Sequence, residues 1–158
     1  MDRNDKAPAV SLREITRDNW EDCIRLAVGE GRERYVASNV YSLAESRFYP
    51  DMVPLAIYAG ETMVGFVMYG LDPRDNQFWI YRLMVDRAHQ GTGYGRAALA
   101  QVLARMRRLP GCRAVVIGYE PDNLVAARLY ASFGFREIGP APWGETLAKL
   151  DLAGAISG

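Results

Sequence analysis

Tyr81-Arg82-Leu83-Met84-Val85-Asp86-Arg87-Ala88-His89-Gln90-Gly91-Thr92-Gly93-Tyr94-Gly95-Arg96 is the stretch on which the fold turns. Bulky, β-favouring residues run up to Val85 and read as a strand. Three glycines at alternate positions follow. Beyond Gly95 the apolar residues Ala98, Leu99, Val102, Leu103 and Met106 recur at three- and four-residue spacing, the period of a helix. The stretch is therefore a strand, a glycine-rich turn and a helix.

That arrangement suits a bound pyrophosphate. Glycines permit positive φ and close approach of another group. Successive N–H groups in such a turn make a concave anion site. The helix behind adds unpaired N–H groups and its positive dipole end. A P-loop is excluded, because Gly95 is followed by Arg96-Ala97 and not by Lys-Ser/Thr. A dinucleotide fingerprint fails too, since counting from Gly91 the third glycine would fall on Arg96. What remains is Gln90-x-x-Gly93-x-Gly95, or simply a glycine-rich strand-to-helix loop.

The remaining composition narrows the class. A chain of 158 residues is enough for one domain with a real core. Apolar residues make up 49% and charged residues 24%, a soluble globular profile. The 19 basic side chains balance the 19 acidic ones, so no global field draws the chain to nucleic acid or to an anionic membrane. No apolar run approaches the roughly 20 residues of a membrane span. Residues 1–10 are polar, carry Pro8 and show no signal-peptide pattern, so a loose tail on a cytoplasmic protein is expected. A second tail is expected over 153–158. Cys23 and Cys112 are too few for a disulfide framework and read as small buried hydrophobes. The single histidine, His89, offers no persuasive catalytic or metal set with them, so no metal is expected.

In chain order, Ser11–Ile15 reads as a strand. Thr16 or Asp18 is expected to cap a helix over Asn19–Val28, with Trp20, Cys23, Ile24 and Ala27 on one face. A second helix is expected over Glu33–Arg47, stopped by Pro50. Strands follow at Pro54–Ala59 and Thr62–Tyr69, joined by a hairpin at Gly60. The turn formers of Asp72–Asn76 lead into a long strand over Gln77–Val85. The helix after the glycine turn ends near Arg107 or Arg108, before Pro110-Gly111. Arg113–Tyr119 is a strand, expected parallel to Gln77–Val85. Asp122 or Asn123 caps a helix through Phe133, with Gly134 as its C-cap glycine. Short strands at Phe135–Ile138 and Glu145–Leu152 close the chain. The order β α α β β β α β α β β gives a mixed α/β sandwich on one sheet, a single domain over 11–152.

Two motifs now stand in order. Gln90-x-x-Gly93-x-Gly95 resembles the coenzyme A motif of the GCN5-related N-acetyltransferases. Asn123-x-x-Ala126-x-x-x-Tyr130-x-x-x-Gly134-Phe135 resembles the closing segment of the same family. The order of elements also agrees, so the resemblance spans nearly the whole chain. It implies a mixed, mostly antiparallel central sheet with a parallel pair at the CoA cleft, flanked by helices. Val36–Ala44 and Phe78–Asp86 are further similar to the bacterial diamine and polyamine enzymes of the spermine/spermidine type.

The family implies direct attack of an amine on the thioester of acetyl-CoA, its co-substrate. The amine must be neutral, the oxyanion needs a donor and the thiolate leaves better with a proton. By resemblance Gln90, Gly91, Thr92, Gly93, Tyr94, Gly95 and Arg96 bind pyrophosphate, mainly through backbone N–H groups. Leu83 and Val85 line the pantetheine arm, and a backbone N–H near Met84 meets the oxyanion. Asn123 contacts the pantetheine amide, or simply caps its helix. Arg128 reaches a phosphate or is a solvated arginine. Tyr130 matches the general acid. Glu120, next to Tyr119 at a strand end, takes a proton directly or through water, or is an ordinary strand-end acid.

A cationic acceptor would need carboxylates and aromatic faces. Glu30, Glu33, Glu45 and Asp51, with Tyr35, Tyr41, Phe48, Tyr49 and Trp79, are the pool, although Arg32, Arg34 and Arg47 are interleaved. The leading expectation is an acetyl-CoA-dependent N-acetyltransferase acting on a small primary amine such as spermidine or spermine. The alternatives are a protein or antibiotic N-acetyltransferase and a non-catalytic CoA-binding sensor. No nucleic-acid or membrane partner is expected, and the resemblance implies a homodimer.

Overall fold

The computed structural model describes residues 8–152. The expected tail at 153–158 and the first seven residues of the other tail lie outside that range. Seven strands form one sheet in the order β1-β2-β3-β4-β5-β7-β6. They are β1 (Ser11–Glu14), β2 (Met52–Ala59), β3 (Thr62–Asp72), β4 (Gln77–Val85), β5 (Ala114–Tyr119), β6 (Arg136–Pro140) and β7 (Thr146–Asp151). Every neighbouring pair is antiparallel except β4–β5, which is parallel as expected. The four helices are α1 (Trp20–Arg25), α2 (Asn39–Phe48), α3 (Tyr94–Arg107) and α4 (Leu124–Ser132). The expected order of elements holds throughout.

The sheet is covered on both faces, so β3 is buried almost end to end and reads as a continuous apolar run. Beyond a bulge at Val64 its side chains alternate between two cores. Val64 and Val67 join Ile57, Val115 and Ile117 beneath Leu99, Val102, Leu103 and Met106 of α3. Phe66 and Met68 join Cys23, Met52 and Met84 on the α1/α2 side. Both cysteines are buried and free. Burial pushes the Cys23 thiol up to about 11.

Several boundaries differ from the sequence reading, each for a local reason. The second helix does not begin at Glu33. A single 3-10 turn spans Glu33–Tyr35, Val36 is extended, and Ser38 then caps α2 by accepting the Tyr41 N–H. Helix α1 ends at Arg25 because Leu26 is extended. The Ala27 N–H then donates to Asp86 Oδ1, and Ala27 O accepts from the Arg87 N–H. Neither Thr16 nor Asp18 caps α1. Asn19 holds that position and its Oδ1 accepts from the Thr16 N–H. Trp20, expected on the buried face, is 45% exposed. Gln101 Nε2 donates to Val10 O, and Pro8 packs against Gly93. Among the described residues no helix is long and apolar enough to cross a membrane.

At the end of β3, Asp72 is buried and takes two bonds from the Arg74 guanidinium, 2.9 and 2.7 Å long. Those bonds hold its carboxyl below the usual carboxylate range. A depressed folded pKa gives stability that is present above the unfolded value, about pH 4, and lost as pH falls through the folded value. Asp72→Asn should therefore flatten the acid side of the stability curve. Unfolding midpoints measured from neutral pH down to about pH 3 check this.

Candidate active site

Strands β4 and β5 make the site by parting. They pair only at Trp79–Val116 and Ile80–Ile117. Past those residues each strand runs on without the other, and the space between them opens. A register shift at this point leaves Tyr81 without a partner on β3, so Tyr81 and Arg82 both turn toward the α2 side. The resulting cleft encloses about 640 Å³. Leu83 lines one wall, and Gly118, Tyr119 and Glu120 line the other. Asn123, Ala126 and Tyr130 of the α4 region also line it.

The glycine turn stands at one end of β4. Gly91 and Gly93 have φ of 82° and 91°, values that a side chain would strain. Among the described residues, no backbone N–H from Gly91 through Arg96 has a protein acceptor. These donors head α3, so the turn is a fan of free N–H groups at a helix N-terminus, which fits a pyrophosphate. The Gln90 side chain does not join that fan. Its Nε2 donates to Val28 O and Val85 O, and its Oε1 accepts from Arg32 at 2.7 Å. It braces the turn against β4. Thr92 Oγ1 donates to His89 O, and the Arg96 guanidinium lies 5.4 Å from the Phe133 ring. Gly95 differs from Gly93, because a Cβ there would meet only Val85 Cγ2 at 3.7 Å. Gly93→Ala should raise the KM for acetyl-CoA about tenfold, the cost of one strained residue, and Gly95→Ala should change it about twofold at most. Steady-state kinetics on the two variants check this.

Tyr130 sits beneath the cleft, stacked on Tyr119 at 5.8 Å and edge-on to Phe135 at 5.7 Å. Its hydroxyl has no hydrogen-bond partner among the described residues, yet the residue lines the cleft. Burial first, then the charges of Glu145 and Tyr119, raises its pKa, so the phenol keeps its proton. Asn123 caps α4 by accepting the Ala126 N–H. Met84 is buried in the α1/α2 core, and its carbonyl oxygen faces Gly65 of β3.

The acceptor side is only partly where the sequence reading put it. Of the expected pool, Glu45, Tyr35 and Trp79 line the cleft. Glu30, Glu33, Asp51, Tyr41, Phe48 and Tyr49 do not. Glu45 is neutralised by Arg82 at 3.2 Å. The sequence reading missed Asp72, Asp75, Tyr81, Trp143 and Glu145, all on the cleft wall. Asp75 accepts from Trp79 Nε1 at 3.0 Å, and Glu145 accepts from Trp143 Nε1. Asp75, Glu120 and Glu145 form no ion pair with any described cation. Burial, then the neighbouring Asp72 carboxylate, pushes the Tyr81 phenol up.

Comparison with known proteins agrees with this geometry. The model of the Acetyltransferase (GNAT) family matches residues 11–135. The spermine/spermidine N(1)-acetyltransferase of Bacillus subtilis is 27% identical over 134 residues, 81% of this chain and 88% of that protein. The spermidine N-acetyltransferase of Vibrio cholerae, solved with CoA and spermine, has a TM-score of 0.70 at 16% identity. The match covers 89% of this chain and 92% of that one. The ribosomal-protein-S18-alanine N-acetyltransferase of Escherichia coli has a TM-score of 0.67 at 17% identity, covering 92% and 95%. Likeness at those identities shows a shared fold.

Proposed function

The chain belongs to the acetyltransferase (GNAT) family and takes its acetyl group from acetyl-CoA, and from that premise we propose that the acceptor is a primary amine of a small polyamine such as spermidine or spermine. One observation carries the acceptor. Two carboxylates of the cleft, Asp75 and Glu145, form no ion pair among the described residues, Glu120 acts on Arg34 only at longer range, and aromatic faces stand beside them. Such a wall attracts a polycation through charge-assisted hydrogen bonds and cation–π contact. The curated relative at 27% identity is named for spermine and spermidine, which supports the same reading.

The geometry supports a role for each residue. Pyrophosphate lies on the free N–H groups from Gly91 to Arg96, and the pantetheine arm enters between Leu83–Val85 and Asn123. The thioester carbonyl then faces the unpaired edge of β4, where a backbone N–H beside Met84, on Leu83 or Val85, meets the oxyanion, the Met84 carbonyl being turned toward Gly65 of β3. Glu120 accepts the proton that makes the amine neutral, directly or through water. The amine nitrogen bonds to the carbonyl carbon, the carbon–sulfur bond breaks, Tyr130 gives its phenolic proton to the departing sulfur, and the nitrogen releases its extra proton, through water, to restore the phenol.

CoA thiol release tests the acceptor. Purified protein and acetyl-CoA would be offered spermidine, spermine, putrescine, an aminoglycoside, lysine and short peptides. Rapid release with the polyamines, and an acetylated polyamine by mass, is expected. Release confined to peptides or to the aminoglycoside would overturn the acceptor. No release with any amine would overturn catalysis.

A further inference from the structure

Strand β5 has a gap in its cleft-facing row. Val115, Ile117 and Tyr119 point into the core beneath α3, so Val116, Gly118 and Glu120 face the acceptor side. Gly118 interrupts that row, and it pairs with Leu147 on β7. A Cβ on Gly118 would stand 3.2 Å from Glu145 Oε1 and 3.3 Å from Leu147 Cδ2. The room left by the missing side chain is taken by the Glu145 carboxylate.

That carboxylate is held in place. The indole N–H of Trp143 donates to its Oε1. The loop that carries both residues is closed on itself, with the Ala141 N–H on Glu145 O at 2.7 Å and the Gly144 N–H on Ala141 O at 2.9 Å. The charge has no ion-pair partner among the described residues. It lines the same cleft as Tyr130, and its charge adds to the burial that raises that phenol's pKa. Trp143 is 63% exposed and lines the cleft, so one indole face is open.

Resting on the polyamine reading above, we infer that Glu145, oriented by Trp143, binds a protonated nitrogen of the acceptor other than the one acetylated. The reacting nitrogen must be neutral, but a second nitrogen of a diamine keeps its proton. Paired with a fixed carboxylate against an indole face, that second charge sets which amines bind. The enzyme thus selects diamines and polyamines over monoamines of matched length.

Steady-state kinetics with spermidine, putrescine and butylamine test this on the wild type, Glu145→Gln and Gly118→Ala. Glu145→Gln should raise the KM for spermidine and putrescine about tenfold or more. It should leave kcat, the KM for butylamine and the KM for acetyl-CoA within about twofold. Gly118→Ala, which crowds the carboxylate without removing it, should shift the diamine KM in the same direction. A wild type that prefers polyamines with a Glu145→Gln variant that prefers them equally would overturn the assignment and leave the substrate class standing. A wild type with no preference over butylamine would overturn both. A Glu145→Gln loss of kcat shared by every amine would also overturn it, since a selective anchor acts on KM.

Discussion

Replacing Tyr130 by phenylalanine is expected to lower kcat about a hundredfold, the typical contribution of a positioned acid, and to leave the fold almost untouched. The second half of that expectation comes from what the hydroxyl does not do. It has no hydrogen-bond partner among the described residues, so removing it orphans no buried group. The ring keeps its contacts with Tyr119 and Phe135. Stability should change by less than about 1 kcal/mol. The first half comes from protonation. Burial, then the charges of Glu145 and Tyr119, keeps the phenol protonated well past neutral pH. The acid form is therefore present wherever the amine begins to lose its proton. The KM for acetyl-CoA should hold within about twofold, because the lost interaction forms mainly as the sulfur departs. An unchanged kcat in Tyr130→Phe would remove the residue from the mechanism.

Gly65→Ala is expected to destabilise the protein by about 3 kcal/mol, the upper end for overpacking a tight interior. Gly65 lies on β3 opposite Val85 of β4. A Cβ there would stand 2.4 Å from the Met84 carbonyl oxygen, 3.1 Å from Ile57 Cδ1 and 3.3 Å from Val85 Cα. Two of the three obstacles are backbone, so no rotamer change relieves them. The strands must separate, and the strand that moves is β4, whose Leu83 lines the cleft. Thermal unfolding should show a midpoint lowered by roughly 6–12 °C. Activity should fall further than the folded fraction accounts for. A midpoint within about 2 °C of wild type would show that β3 and β4 part freely here.

What was legible in the sequence was local. Gly91 and Gly93 announce a turn with special φ and a helix start because those demands fall on single residues. Asn123 and Gly134 announce the two ends of α4 for the same reason, and the structure places both as read. The break between Glu33 and Asn39 was equally local and was misread. The apolar spacing ran on as if helical, and Ser38 before Asn39 was the cap signal that should have stopped it.

The acceptor wall was a different matter. Asp72, Asp75, Tyr81, Trp143 and Glu145 come from separate segments of the chain and meet only through long-range pairing. Glu145 reaches the cleft because β7 pairs with β5 in a register that sets Leu147 against Gly118. Tyr81 faces it because the β3–β4 ladder slips at Met68–Tyr69. Neither register is written in a window of ten residues. One sign was present. A glycine inside Ala114-Val115-Val116-Ile117-Gly118-Tyr119 marks a place where something approaches closely.

On the proposed function, acetyl passes straight from the thioester to an amine bound beside it. No cysteine lines the cleft among the described residues, and Cys23 is fully buried with its thiol pushed up to about 11. The structure therefore offers no thiolate to carry the acetyl group between two half-reactions. Initial velocities with acetyl-CoA and spermidine varied together test this most directly, with the intact mass of the enzyme read after acetyl-CoA alone. Intersecting double-reciprocal lines and an unmodified protein are the predicted result. Parallel lines with an acetylated protein would contradict it.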